Sequence, residues 1–308
     1  MVKEKIVVGS RGSKLALIQT ESVVAKLREI NPRLKISISK LTPSGDRDKH
    51  TRLDRMGGVG AFVNELEEAL LDGMIDLAVH SLKDLPTKVF PRLYLAAVTE
   101  RADPRDVLVS RAKTLAELPP GSRIGTGSLR RATQLTSYRP DLKVCGIRGN
   151  IDTRLRKVSN GEMDGVILAA AAIKRLGWEA KVSEYLPVEH FLPAVGQGAL
   201  AIEMRLSDAK IAEIISPINH LSSWQCITAE RSFLNTLGGS CSTPIAALGT
   251  VNGAILKLKG MVADISGKKI LYDSEEGNVT SPEQTGIRLA EKMLEKGGSE
   301  FIIEAKRR

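Results

Sequence analysis

Six arginines of this sequence share one setting: Arg11, Arg130, Arg131, Arg148, Arg154 and Arg175 each fall just beyond a predicted strand or at a predicted helix start. The densest case is residues 124–131, Ile-Gly-Thr-Gly-Ser-Leu-Arg-Arg. Ile124 reads as a strand end, Gly125 and Gly127 as positions that allow backbone angles other residues resist, and Ser128 as the cap of a helix running through Ala132, Gln134 and Leu135. A helix start offers unpaired N–H groups and favours Asp or Glu, so two cations in the first turn oppose the helix dipole. An external anion offsets that mismatch; a solvated basic helix end is the alternative. Guanidinium forks suit carboxylates and phosphates. The stretch is not a dinucleotide fingerprint, because the third glycine and the later acid are missing.

Two further residues could do covalent or acid–base work. Asp84 lies in His80-Ser81-Leu82-Lys83-Asp84-Leu85-Pro86-Thr87, directly after a predicted core strand and beside Lys83. A carboxylate so placed can move a proton or stabilise a cation; a turn-forming Asp bonded to its own backbone is the other reading. Cys241 occupies Gly238-Gly239-Ser240-Cys241-Ser242-Thr243-Pro244, a loop that two glycines open to close approach. A reactive thiolate suits basic surroundings, and an ordinary half-buried cysteine remains open. Cys226, inside a predicted helix, reads as a buried, inert thiol.

Composition narrows the partners. The 308 residues carry 42% hydrophobic residues and a net charge of +9, which implies two or three globular domains and acidic partners. Aromatics are only 4% and no recognition motif appears, so a nucleic-acid partner rests on charge alone. A small polycarboxylate or phosphate better fits basic residues scattered through glycine-rich loops. The apolar run Val166–Ile173 is too short to span a bilayer. The opening Met-Val-Lys-Glu-Lys leads straight into a strand, so the cytoplasm is the expected location. Cys145, Cys226 and Cys241 are odd in number and far apart, and His50, His80, His190 and His220 lack ligand spacing; neither disulfide nor metal is expected.

The elements that must position these side chains alternate between strand and helix. A strand at 5–9 leads through Ser10, Arg11, Gly12 and Ser13 into a helix from Lys14 that Asn31-Pro32 ends. A strand at 35–41 precedes a polar, glycine-bearing run at 43–60, read as a lid. A helix through Phe62, Leu66, Ala69 and Leu70 and a strand at 75–79 follow. Asp103-Pro104-Arg105 reads as a crossover into a second lobe, where a strand at 143–147 precedes Asn150 as a helix cap and Val166–Ala171 forms a strand buried on both faces. Residues 193–205 read as a strand returning to the first lobe, which makes a double-crossover hinge. A helix at 222–237, strands at 245–251, 254–263 and 269–273, and a helix from Pro282 to Lys296 complete a small α+β domain. The strand, Gly/Ser/Arg loop and helix at the start echo residues 124–131, which implies two α/β lobes with basic loops at strand ends.

Taken together and in order, Val8-Gly9-Ser10-Arg11, Ala78 to Thr87, Gly125 to Arg131, Arg148-Gly149-Asn150, Gly196-Gln197-Gly198-Ala199-Leu200 and Gly239-Ser240-Cys241 resemble the porphobilinogen deaminase, or hydroxymethylbilane synthase, family over nearly the whole chain. The resemblance implies an α/β fold: two periplasmic-binding-protein-like lobes, domain 1 (1–99 and 200–217) and domain 2 (104–194), plus a small α+β domain 3 (221–308). It implies a transferase of haem and tetrapyrrole biosynthesis that condenses four porphobilinogen molecules head to tail, releasing ammonia and then hydroxymethylbilane. It also implies one covalent dipyrromethane per chain, joined to Cys241 as a thioether, with Asp84 catalytic. Lys83, Arg130, Arg131 and Arg148 match the family's side-chain-binding positions and are the implied cofactor ligands, with Ser81, Thr126 and Ser128 as polar supplements; Arg11, Arg148, Arg154 and Arg175 match positions implied to bind substrate, with Ser13 and Gln197 as polar supplements. The implied partner is porphobilinogen, without nucleic acid, membrane or metal, and the chain is expected to be a monomer. Two departures stand out: Gly57-Gly58-Val59-Gly60 where the family often has Gly-Gly-Lys-Gly, and Ser240 where a glycine often precedes the cysteine. The first removes a cation from the lid; the second exchanges one small residue for another. A two-lobed carboxylate-binding protein without catalysis would explain the arginines but not the loop cysteine.

Overall fold

The computed structural model describes residues 5–41, 60–111, 114–240 and 242–306, with side chains from 65 in the segment that begins at 60 and up to 305 at the end. In chain order the elements are β1 (Lys5–Arg11), α1 (Lys14–Ile30), β2 (Lys35–Leu41), α2 (Gly60–Leu71), β3 (Leu77–Ser81), β4 (Leu93–Val98), β5 (Asp106–Ser110), β6 (Arg123–Gly125), α3 (Leu129–Tyr138), β7 (Lys143–Cys145), α4 (Ile151–Ser159), β8 (Gly165–Ala169), α5 (Ala170–Arg175), β9 (Glu184–Tyr185) and β10 (Leu200–Arg205). They continue with α6 (Ala209–Ile215), α7 (Leu221–Thr236), β11 (Ile245–Asn252), β12 (Ile255–Ala263), β13 (Ile270–Asn278), α8 (Pro282–Met293) and α9 (Ser299–Lys306). The chain forms two compact units, Met1–Arg101 with Ala199–Trp224, and Ala102–Gly198 with Gln225–Arg308.

Each unit holds a five-stranded sheet of the same plan. In the first the order is β2-β1-β3-β10-β4, with β1 parallel to β2 and β3, and β10 antiparallel to β3 and β4. In the second it is β7-β6-β8-β5-β9, with β6 parallel to β7 and β8, and β5 antiparallel to β8 and β9. The antiparallel strand next to the parallel trio is, in both sheets, the first strand formed after the chain changes unit. The second unit also carries the antiparallel meander β11-β12-β13, with α7 and α8 sharing a core through Ala229, Phe233, Leu289 and Met293.

Several readings needed correction. The apolar run at 166–171 is not one strand: β8 ends at Ala169 and α5 begins at Ala170, because a continuous apolar run does not separate a buried strand from a buried helix. Arg175 therefore ends a helix rather than following a strand. Arg11 is the last residue of β1, not part of the loop. The returning strand starts at Leu200; before it, Gly196 and Gly198 take φ of 74° and 97°, angles that favour glycine. Gly125 and Gly127 do not adopt positive φ. Gly127 is needed for space instead, since a Cβ there would lie 2.8 Å from the Ile147 carbonyl oxygen. Strands β4, β5 and β9 and helices α6 and α9 were not anticipated.

Strand alternation splits the core of the first unit. Leu77 and Val79 of β3, with Leu200, Ile202 and Met204 of β10, pack with α1 residues Val23, Val24 and Leu27. Ala78 packs with Leu66, Ala69 and Leu70 of α2. By the same alternation His80 and Glu203 belong to the α2 side, where Glu67 is buried as well. Burial first, and then the charge of Glu203, push the Glu67 carboxyl up from 4.5 to about 7. The unfolded chain thus releases this proton at lower pH than the folded chain. The stability linked to the group is full below about pH 4.5 and is lost as pH rises towards 7. Glu67→Gln, neutral throughout, should gain in melting temperature over the parent between pH 5 and pH 8. A difference between the two proteins that stays constant across that range would contradict the raised carboxyl.

Candidate active site

In the first unit the parallel neighbours β1 and β3 bring Arg11, Lys83 and Asp84 to the carboxyl ends of adjacent strands, where open α/β sheets bind ligands. Ser13 caps α1, its hydroxyl accepting from the Ala16 N–H at 3.3 Å. At the end of β3 the Ser81 hydroxyl accepts from Gln19 Nε2 at 2.8 Å and donates to Gln19 Oε1 at 3.0 Å. The Leu82 N–H donates to the Ala199 carbonyl at 3.1 Å, and Leu82–Asp84 then close a 3-10 turn in which Leu85 N–H donates to Leu82 O at 3.1 Å. Lys83 and Asp84 are half-buried. Asp84 thus stands on a turn anchored to both neighbouring elements rather than on a long loop.

In the second unit the stretch 124–131 adopts the expected strand, loop and helix, with a different source of charge balance. Arg130 and Arg131 are only 3% and 6% exposed, and both bind Asp106, the first residue of β5, which is fully buried. Arg130 Nη1 donates to Asp106 Oδ2 at 2.8 Å, and Arg131 donates to Oδ1 from Nη2 at 2.7 Å and from Nε at 3.1 Å. Carbonyls of Leu192 and Ile167 accept from Arg130 Nη1 at 2.7 Å and Arg131 Nη1 at 3.1 Å. Burial pushes the Asp106 carboxyl up, but the two guanidiniums outweigh it and hold the group well below the usual carboxylate range. The anion that offsets the cations at this helix start is therefore internal, which corrects the expectation that only an external one does so. One carboxylate against two guanidiniums still leaves positive charge over, and Arg130 Nε is buried without a hydrogen-bond partner among the described residues.

The other candidates of this unit surround the same sheet edge. Thr126 is buried, and its hydroxyl accepts from the Ser128 N–H at 3.2 Å. Ser128 and Asn150 occupy N-cap positions, but neither side chain makes a capping bond. Arg148 is exposed, just before Gly149 with its φ of 103°. Arg154 Nε donates to the Gly149 carbonyl at 2.9 Å, and Arg175 Nη2 to the Gly198 carbonyl at 2.8 Å. Gln197 is part of the arginine cluster: its Nε2 donates to Asp106 Oδ1 at 2.8 Å and to the Pro104 carbonyl at 2.7 Å.

The sequence reading missed the buried carboxylates behind these groups. Asp106 is one. Glu230 is another: wholly buried on α7, it accepts from the Gly196 N–H and the Gly249 N–H at 2.8 Å each, so it pins the glycine loop that carries Gln197. The available signal was an acid set among apolar residues, as in Asp106-Val107-Leu108-Val109 and Ala201-Ile202-Glu203-Met204. Cys241 and the lid at 43–59 lie outside the described residues. The neighbours of Cys241 are held: Thr243 Oγ1 donates to the Ser240 carbonyl at 2.6 Å and accepts from the Ser240 N–H at 3.0 Å. A Cβ on Gly239 would lie 2.3 Å from Ile245 Cδ1, so that position admits no side chain without rearrangement. Among the described residues no cluster of three His, Cys, Asp or Glu side chains could hold a metal ion.

Comparison with known proteins covers almost the whole chain. Residues 6–213 match the family model for the porphobilinogen deaminase dipyromethane cofactor binding domain, and residues 224–295 that for the porphobilinogen deaminase C-terminal domain. The porphobilinogen deaminase of Pelobacter propionicus is 45% identical over 308 residues, covering 100% of this chain and 99% of its own. That of Geobacter metallireducens is 46% identical over 308 residues, covering 100% and 97%. Among solved structures, a putative methionine-binding lipoprotein of Bacillus subtilis aligns with 69% of this chain and 90% of its own, at 14% identity and a TM-score of 0.41, too low to carry an argument. With residues 6–213 and 224–295 matched and relatives 45% identical over the whole chain, the chain belongs to the porphobilinogen deaminase family.

Proposed function

We propose that this porphobilinogen deaminase of tetrapyrrole biosynthesis works with Asp84 as its catalytic carboxylate, Cys241 as the attachment point of one dipyrromethane, and the strand-end cations as its carboxylate ligands. The observation that carries this reading is the buried Arg130–Asp106–Arg131 cluster, whose geometry fixes two guanidiniums and leaves positive charge unbalanced.

The donor set fits an anionic pyrrole cofactor. Acetate and propionate groups are acceptors only, and the second unit supplies rigid donors in excess, including Arg130 Nε, which has no hydrogen-bond partner among the described residues. Arg130, Arg131, Arg148, Thr126 and Ser128, with Lys83 and Ser81 of the first unit, would hold the dipyrromethane. When bound, it supplies the pyrrole carbon to which the first porphobilinogen is joined. Arg11, Ser13, Arg148, Arg154, Arg175 and Gln197 would hold the carboxylates of incoming porphobilinogen. Gln197 does so through the cluster, because its amide is already committed to Asp106.

Asp84 then meets the reacting centre. Porphobilinogen that loses ammonia becomes a cation, and its pyrrole N–H grows more positive. A fixed carboxylate stabilises both and can take up a proton. The 3-10 turn fixes the backbone beneath that carboxylate before substrate arrives. We further propose three domains, with the second unit comprising an α/β lobe and the C-terminal meander, and a monomer that works in the cytoplasm. The separate meander core supports the third domain, and the scattered cysteines suit a reducing compartment.

Three outcomes test this reading. Intact mass spectrometry of active enzyme should show the chain heavier by two linked pyrrole units, and Cys241→Ala should remove both that mass and activity; active enzyme at the bare mass would contradict it. Asp84→Ala should keep the added mass while kcat falls by about 100-fold or more; near-normal turnover would remove Asp84 from the chemistry. Asp106→Asn leaves two buried guanidiniums short of their anion and should destabilise by about 3–5 kcal/mol, with reduced dipyrromethane content in whatever folds. Unchanged melting and full cofactor content would show that Asp106 does not hold the arginines.

A further inference from the structure

On the α2 side of the first sheet, apart from the Arg205–Asp76 pair, three titratable side chains are buried among apolar ones. His80 Nε2 lies 2.9 Å from Glu203 Oε2, and both residues are buried. Glu203 Oε1 has no hydrogen-bond partner among the described residues. Glu67 reaches the same region from α2 and feels the charge of both. Strand periodicity places these groups where Ala78, Leu66 and Leu70 otherwise make the packing.

A buried pair of this kind adds little net stability, because desolvation offsets the attraction and apolar side chains of similar volume would serve the fold as well. Apolar side chains would not supply a directed bond between two strands. This one ties β3 to β10 diagonally, from His80 near the end of β3 to Glu203, which stands opposite Ala78. His80 stands opposite Ala201 and Ser81 opposite Leu200; then the Leu82 N–H meets the Ala199 carbonyl, and the chain turns to present Lys83 and Asp84. Gln19 holds Ser81 from α1, packed on the other side of the strand. The turn is thus gripped from both faces of the sheet, and the His80–Glu203 bond is the grip on the α2 side.

We propose that His80 and Glu203 are positioning residues for the condensation: their buried bond fixes the end of β3 and thereby the aim of the Lys83–Asp84 turn. The proposal rests on the reading of Asp84 as the catalytic carboxylate.

The test compares holoenzymes carrying His80→Gln, Glu203→Gln, both together, and Asp84→Ala. Each single Gln variant should melt cooperatively and keep the dipyrromethane mass, with kcat lowered about 10- to 100-fold and KM within about threefold of the parent, as expected when a reacting group is misplaced rather than a binding group lost. The double variant should lose no more kcat than the more impaired single variant, because all three disturb the same bond. Single variants with kcat within about twofold of the parent, or with raised KM and unchanged kcat, would overturn the proposal while leaving Asp84 in place. If Asp84→Ala turns over normally, the Asp84 reading falls and this proposal with it. Should Glu203→Gln fail to fold, His80→Gln decides alone.

Discussion

Two guanidiniums share one buried carboxylate, and much of the second unit is arranged around that fact. Arg130 and Arg131 stand in the first turn of α3, where the helix dipole opposes them. Asp106 sits beneath them at the start of β5, fully buried and ionised because both cations face it. Removing Asp106 would leave two buried guanidiniums without their anion. The cluster therefore fixes the rotamers of both arginines in advance, and a carboxylate ligand need not order them. Gln197 and Glu230 extend the support: one binds Asp106 directly, the other pins the Gly196 backbone next to Gln197.

The two sheets share a plan, and the plan explains why charge gathers where it does. A trio of parallel strands sends its carboxyl ends to one edge, and the antiparallel strand beside it enters from the segment shared with the other unit. In the first unit that edge bears Arg11 and the Lys83–Asp84 turn; in the second it bears Thr126, Ser128, Arg148 and the arginine pair. The inner parallel strands β3 and β8 are largely buried, so polar groups gather in the segments that follow them. The buried acids Asp106 and Glu203 both lie on the antiparallel strands β5 and β10, beside the parallel strand that leads into the site.

Much of this was legible in the sequence, for physical reasons. Amphipathic periodicity placed α1 and α2, and turn residues placed the C-terminal meander close to its observed strands. The arginines stood out because charge beside glycine at a strand end is unusual, and Asp84 because it directly follows a core strand. The stretch at 166–171 misled, since apolarity without period does not distinguish Gly165–Ala169 from the helix that follows. Gly127 was read as a torsional need when the need is clearance from Ile147. Asp106, Glu203 and Glu230 escaped notice because their partners lie far along the chain: Asp106 pairs with residues 24 and 25 positions away, and Glu203 with one 123 away. Pairing at such distance leaves only the oddity of an acid within an apolar run.

The central claim is that the Asp106 cluster presents preset, under-neutralised guanidiniums to carboxylates. A high-resolution crystal structure of the purified, cofactor-bearing enzyme tests it most directly. The account predicts Arg130 and Arg131 still bonded to Asp106, with their remaining donors on acetate or propionate oxygens of the bound pyrroles. Pyrrole carboxylates held entirely by other residues, with both arginines satisfied by protein groups alone, would contradict it.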